Sequence, residues 1–136
     1  LYERDDLIGI IQDAMSSFGV THHCLQLEIT ENGLMKDVES VMTALHRLNE
    51  VGVQISIDDF GTGYSSLRYL TRLPISELKI DRSFVHDLGV TLQSSAVVNT
   101  IISLGRALGI RVIAEGVENL RQMEVLHRLG CSLMQG

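Results

Sequence analysis

The sequence predicts an α/β fold, a partial (β/α)8 (TIM-like) barrel of about five parallel strands with intervening helices. Three observations carry that expectation. Apolar residues switch repeatedly between helical spacing and strict alternation along the 136 residues. Successive strand-like stretches lack the tight turn of a hairpin between them, and each carries one apolar and one polar face. A doubly wound sheet is covered on both sides and needs apolar central strands, whereas a barrel keeps its helices outside and can leave the inner face to a polar site. The two-faced strands favour the barrel.

The elements follow in order. Leu7, Ile8, Ile11, Met15 and Phe18 recur at helical spacing, and Gly19 ends that helix. Leu25, Leu27 and Ile29 alternate with Gln26, Glu28 and Thr30, a strand. Val38, Val41, Met42, Leu45 and Leu48 return to helical spacing and stop at Gly52. Val53, Ile55 and Ile57 alternate with Gln54, Ser56 and Asp58; a short helix around Leu67 and Leu70 follows, closed by Pro74. Leu78 and Ile80 alternate with Glu77, Lys79 and Asp81 as the next strand. A longer helix through Val97, Val98, Ile101, Ile102 and Leu108 stops at Gly109, before a strand through Ile110, Val112 and Ala114 to Glu115. A last helix precedes Gly130, and Cys131 to Met134 form the final strand.

Composition narrows the class. With 45% hydrophobic residues the chain can bury a core, and no apolar run approaches the roughly 20 residues of a membrane span. The opening LYERDD has neither the basic flank nor the apolar stretch of a signal peptide, which leads to the expectation of a cytoplasmic protein. Cys24 and Cys131 are too few for a disulfide framework and are expected to be buried free thiols. A net charge of −6 argues against DNA or RNA polymers as partners, because such binding rests on Lys and Arg neutralising phosphates. A small anionic ligand would need metal ions. With no linker-like tract, residues 1–136 read as one domain.

The chemistry gathers at strand ends. Glu28, Asp58 with Asp59, Lys79 with Asp81, Glu115 and Gln135 all close strand readings, and parallel strands place those ends on one rim. Carboxylates crowded there repel one another unless they are protonated or bridged by cations, and hard oxygen donors select Mg2+ or Mn2+ over zinc. Asp58-Asp59-Phe60-Gly61-Thr62-Gly63 leaves a strand with two adjacent acids, then two glycines that permit a tight turn, with Thr62 or Ser65 available to cap the next helix. Lys79 inside a strand calls for surrounding acids or a phosphate, since burial otherwise costs its charge. His22 and His23 precede a strand on the opposite rim and read as surface residues.

These residues carry a family resemblance. LEITE at Leu27 to Glu31, DDFGTGYSSL at Asp58 to Leu67, LKIDRSFV at Leu78 to Val85, AEGVE at Ala114 to Glu118 and the closing Gln135-Gly136 resemble the motifs of EAL domains, in order and at fitting spacing. The resemblance covers essentially the whole chain and implies a barrel that binds cyclic di-GMP and hydrolyses it, with Mg2+ or Mn2+ and two ions expected, to linear pGpG. It implies that Glu28 and Asp58 ligate one metal and Asp58 and Asp59 the other. Lys79 would orient the attacking water or offset developing charge, and Glu115 would act as base or ligand; the choice of base between the two stays open. Glu31 resembles the glutamate that anchors the DDFGTG loop. Asp81 sits beside the lysine, and Glu118 and Gln135 resemble positions near the substrate.

Where the sequence departs from the family pattern, the Glu-Ala-Leu signature and the asparagine of the following strand are missing, as is the last barrel strand. Residues 1–136 are therefore expected to be a portion of an EAL-type domain, with hydrolysis a property of the parent domain and open sheet edges on this stretch alone. The resemblance also implies a homodimer through the DDFGTG loop and the helix after it. Sensory or GGDEF-type domains are expected upstream, and no membrane contact is expected from this segment. Two other functions compete: a receptor that binds cyclic di-GMP without cutting it, and a structural or dimerisation module. Degenerate receptors lose acids, and none is lost here.

Overall fold

A computed structural model describes residues 7–20, 24–35, 37–63 and 67–136. The readings made for His22, His23 and Ser65 lie outside these residues. The chain runs α1 (Leu7–Phe18), β1 (Gln26–Thr30), α2 (Glu31–Met35), α3 (Val38–Glu50), β2 (Gln54–Phe60) and α4 (Leu67–Leu70). It continues with β3 (Glu77–Ile80), α5 (Arg82–His86), α6 (Leu92–Leu108), β4 (Arg111–Glu115), α7 (Leu120–Leu129) and β5 (Leu133–Gln135).

The strands form one five-stranded sheet in the order β1-β2-β3-β4-β5, and every neighbouring pair is parallel. That order follows the chain without reversal. A doubly wound sheet reverses direction at a switch point; an unreversed series of right-handed crossovers sends its helices to one face and leaves the other for a barrel interior. The burial pattern agrees. Ile55, Ile57, Leu78 and Ile80 are fully buried with Leu45 and Leu48 of α3 and Val98 of α6, the core between sheet and helices. Ser56, Glu77 and Lys79, on the alternate face of β2 and β3, are also buried, so the inner face is polar yet sheltered.

The helix ends obey local chemistry. Thr91 caps α6 by accepting the Ser94 N–H at 3.2 Å, and Asn119 with Gln122 forms a reciprocal capping box on α7. Gly109 and Gly130 close these two helices in the left-handed conformation, as the sequence predicts. Three features depart from the sequence reading. Helix α6 begins at Leu92, before the expected Val97, because its first turn is built from polar residues and the 92% exposed Leu92, which show no apolar period. Helices α2 and α5 are five residues each, too short to display one. Cys24 is exposed and only Cys131 is buried, which corrects the expectation of two buried thiols; neither is in a disulfide. Among the described residues no helix is long and apolar enough to cross a membrane.

Candidate active site

Lys79 stands at the centre of the polar face. Its Nζ lies 2.9 Å from Glu28 Oε1 and 2.8 Å from Glu115 Oε1, so one ammonium joins β1, β3 and β4 across 87 residues of sequence. Burial alone would depress the lysine, but hydrogen bonds to Glu115 and Glu28, and their charges, carry its pKa well above the ordinary value. The ammonium is therefore permanently charged in this setting. Glu28 lies in the middle of β1, not at its end as the sequence reading had it, and remains about half exposed on the site side.

Asp58 and Asp59 occupy a distorted stretch of β2. The pairing with β3 shifts register between Ile57 and Phe60, a bulge, and Asp59 takes a positive φ of 53°. Consecutive residues of a regular strand point to opposite faces. The bulge and the left-handed residue break that alternation, and Asp tolerates this conformation better than most side chains. Asp58 Oδ1 accepts the Asp59 N–H at 2.9 Å. Burial, then the charge of Asp58, then a hydrogen bond and charge from Asp81, with Glu115 further off, hold the Asp59 carboxyl above the usual aspartate value. Asp59 thus feels three other acids, from β2, the β3–α5 junction and β4.

Asp81 follows β3 and caps α5, accepting the Ser83 N–H at 2.9 Å and the Ser83 hydroxyl. Burial raises its pKa, but the two Ser83 hydrogen bonds, with a bond from Asp59 and the Arg82 charge, outweigh that effect and leave it below the ordinary value.

The loop after β2 is held by Glu31, which is 1% exposed and accepts the N–H groups of Gly61 at 2.9 Å and Gly63 at 3.0 Å. Both glycines are sterically required. A Cβ on Gly61, at φ 103°, would meet Phe84 Cε2 at 2.9 Å, and one on Gly63 would meet Glu31 Cδ at 2.9 Å. The Thr62 hydroxyl donates back to the Asp59 carbonyl at 2.9 Å and tightens the turn that carries the acids.

Glu118 and Gln135 lie to the side. Gln135 is the register partner of Glu115, and its carbonyl accepts the Val117 N–H at 3.1 Å. Glu118 is exposed and faces His86 Nδ1 at 3.9 Å across a depression of about 700 Å³ lined also by Asp81, Arg82 and Gly116. Neither is in an ion pair with the lysine.

The sequence places Glu77 on the polar face of a strand without revealing its role, because a polar residue at a strand's start looks like ordinary alternation. It is 4% exposed and gathers Gln26 Nε2 at 2.6 Å, Ser56 Oγ at 3.2 Å and Arg111 Nη2 at 3.4 Å, tying four strands together one layer below Lys79. The two consecutive polar positions on the inner face of β3, Glu77 and Lys79, were the available signal.

Chemically, the rim offers hard carboxylate oxygens suited to Mg2+ or Mn2+ and a fixed positive charge suited to a phosphate. Among the described residues no three acids or histidines converge tightly enough to cage an ion, since Glu28 and Glu115 are drawn to the lysine. The donor chemistry still fits a divalent cation, and the repulsion felt by Asp59 is what such a cation relieves.

The EAL domain family model matches residues 1–136. The chain is 47% identical over 130 residues to the bifunctional diguanylate cyclase/cyclic di-GMP phosphodiesterase MucR of Pseudomonas aeruginosa, covering 96% of this chain and 19% of that protein. It superposes on the MucR phosphodiesterase in complex with c-di-GMP with a TM-score of 0.94 and 46% identity, covering 98% of this chain and 54% of the other. A manganese and c-di-GMP complex of Klebsiella pneumoniae BlrP1 gives a TM-score of 0.92 at 32% identity, over 99% of this chain and 34% of that one. The chain spans about a fifth of the length of the curated relatives it matches.

Proposed function

The chain belongs to the EAL domain family, and from that premise we propose that it forms part of a metal-dependent phosphodiesterase that opens cyclic di-GMP to linear pGpG. The observation that carries this reading is the meeting of Glu28, Lys79 and Glu115 from three strands at 2.8 to 2.9 Å, near Asp59, whose charge is disfavoured by burial and by Asp58 and Asp81. Relatives with this fold are named cyclic di-GMP phosphodiesterases or hold c-di-GMP with manganese.

Glu28, Asp58 and Asp59 would hold Mg2+ or Mn2+, with two ions expected. Such ions lower the pKa of a water and neutralise a phosphodiester. The remaining work falls to side chains. Lys79, held charged by its neighbours, cannot take a proton and instead offsets charge that develops on the phosphate oxygens. Glu115, in contact with that ammonium, would accept the proton of a water attacking the phosphate. Glu31 fixes the loop that carries the two aspartates. Asp81 and Glu118 line the depression where a base of the dinucleotide would lie, and Gln135, beside Glu115 in the sheet, would lie near it.

The same reading takes residues 1–136 as a portion of the domain, with homodimerisation through the loop after β2, GGDEF-type or sensory domains elsewhere in the parent protein, and a cytoplasmic setting. Incubation of the chain, and of a longer parent, with cyclic di-GMP and Mn2+ tests the activity by chromatography. Formation of pGpG that is lost in Asp58→Asn supports hydrolysis. Tight cyclic di-GMP binding without metal and without product would replace it by the receptor reading.

A further inference from the structure

We propose that Lys79 and a divalent cation compete for the Glu28 carboxylate, so that the lysine keeps a place that a metal ion takes over when the site is loaded. This rests on the metal-dependent reading above and deepens it.

The geometry is specific. A single ammonium, on a side chain only 10% exposed, contacts Glu28 Oε1 at 2.9 Å and Glu115 Oε1 at 2.8 Å. Those contacts draw together carboxylates from the first and fourth strands of the sheet. Among the described residues no set of three acids or histidines forms an ion cage. Two carboxylates this close need a positive charge between them, and a sheltered ammonium cannot be withdrawn from them without leaving both sides uncompensated. A dication held by Glu28 supplies that charge instead. An ammonium and a dication on one carboxylate repel each other, so the lysine is driven off Glu28 and becomes available to an anionic phosphate at the same rim. Arg82 makes a useful contrast: it contributes charge near Asp81 but forms no ion pair with Glu28 or Glu115.

The test measures Mn2+ binding to the chain by the electron paramagnetic resonance of free Mn2+, with thermal unfolding in EDTA and in saturating Mn2+. Lys79→Met is expected to unfold at lower temperature than wild type in EDTA, to recover most of that deficit in Mn2+, and to bind Mn2+ about tenfold more tightly. Arg82→Gln, which removes a rim charge without freeing a carboxylate, is expected to change the affinity by less than about threefold. Should Lys79→Met not fold, the wild-type chain answers the same question: the rate at which Lys79 is acetylated, read by mass spectrometry, is expected to rise severalfold on adding Mn2+. Competition is overturned if wild type binds Mn2+ while Lys79→Met binds it no more tightly, if the two substitutions have equal effects, or if Mn2+ leaves Lys79 acetylation unchanged. Absence of Mn2+ binding in both wild type and Lys79→Met overturns the metal-dependent reading along with it.

Discussion

Glu31 and Gly63 are 32 residues apart in sequence, yet a buried Glu31 carboxylate oxygen accepts the Gly63 backbone N–H at 3.0 Å and the Gly61 N–H at 2.9 Å. This clamp sets where the loop leaves β2 and hence how Asp58 and Asp59 are presented. Glu31→Ala leaves two loop donors without their acceptor and a void beside them, so a loss of about 2 to 4 kcal/mol is expected in urea unfolding. Glu31→Gln keeps one oxygen and should lose less than half as much. In a longer, active parent, both should lower turnover more than substrate affinity. Equal stability of wild type and Glu31→Ala would show that the clamp is not what holds the loop.

Much of this was legible before any coordinates. Alternation at Ile55, Ile57, Leu78 and Ile80 announced strands, and the lack of hairpins made them parallel; parallel strands then oblige Glu28, Lys79 and Glu115 to share a rim. The conformation of Asp59 was not legible. Its positive φ arises from a register shift against β3, a relationship between two strands that no local pattern encodes. Glu77 was hidden for a similar reason: three of its partners come from three other strands, and sequence spacing cannot show that they converge. Cys24 was misread because cysteine's usual preference for burial says nothing about a position just ahead of an edge strand.

The raised pKa of Asp59 shows that the fold disfavours its charge, through burial first and then through Asp58, Asp81 and Glu115. An acid raised in the folded state contributes stability at low pH and loses it as pH rises through the folded value. Asp59→Asn removes the repulsion, and asparagine accepts a φ of 53° as readily as aspartate. In EDTA at pH 7 its melting temperature should equal or exceed that of wild type, with the advantage vanishing near pH 3. Turnover by the active parent should fall by at least a hundredfold, the cost of losing a metal-facing carboxylate. A melting temperature clearly below wild type at pH 7 would mean that Asp59 stabilises the loop it strains.

The two thiols should separate by reactivity. Burial pushes the Cys131 thiol above its ordinary 9.0, and its sulfur donates to the Leu133 carbonyl at 3.2 Å, whereas Cys24 is exposed. At pH 8 iodoacetamide should modify Cys24 within minutes and leave Cys131 intact until the chain is unfolded, which peptide mass spectrometry distinguishes. Because an elevated thiol favours folding only while it stays protonated, stability should decline as pH climbs from about 9, and Cys131→Ala should show less of that decline. Equal labelling of both sites in the folded chain would contradict the burial of Cys131.

Glu77 offers the sharpest separation of hydrogen bonding from charge. Its carboxylate is nearly inaccessible, but its cationic partner Arg111 has a half-exposed side chain, so water screens that ion pair and leaves it worth under about 1 kcal/mol. Gln26 and Ser56 donate to the same carboxylate oxygen at 2.6 and 3.2 Å from the sheltered interior. Removing their acceptor strands buried polar groups, which costs the full desolvation of each. Glu77→Ala is therefore expected to destabilise by about 2 to 4 kcal/mol in urea unfolding. Double-mutant cycles should find a coupling of Glu77 to Ser56, probed with Ser56→Ala, larger than its coupling to Arg111, probed with Arg111→Met. The reverse order would mean that the four strands are held at this layer by charge, and that high salt should loosen the floor on which Lys79 and Glu28 stand.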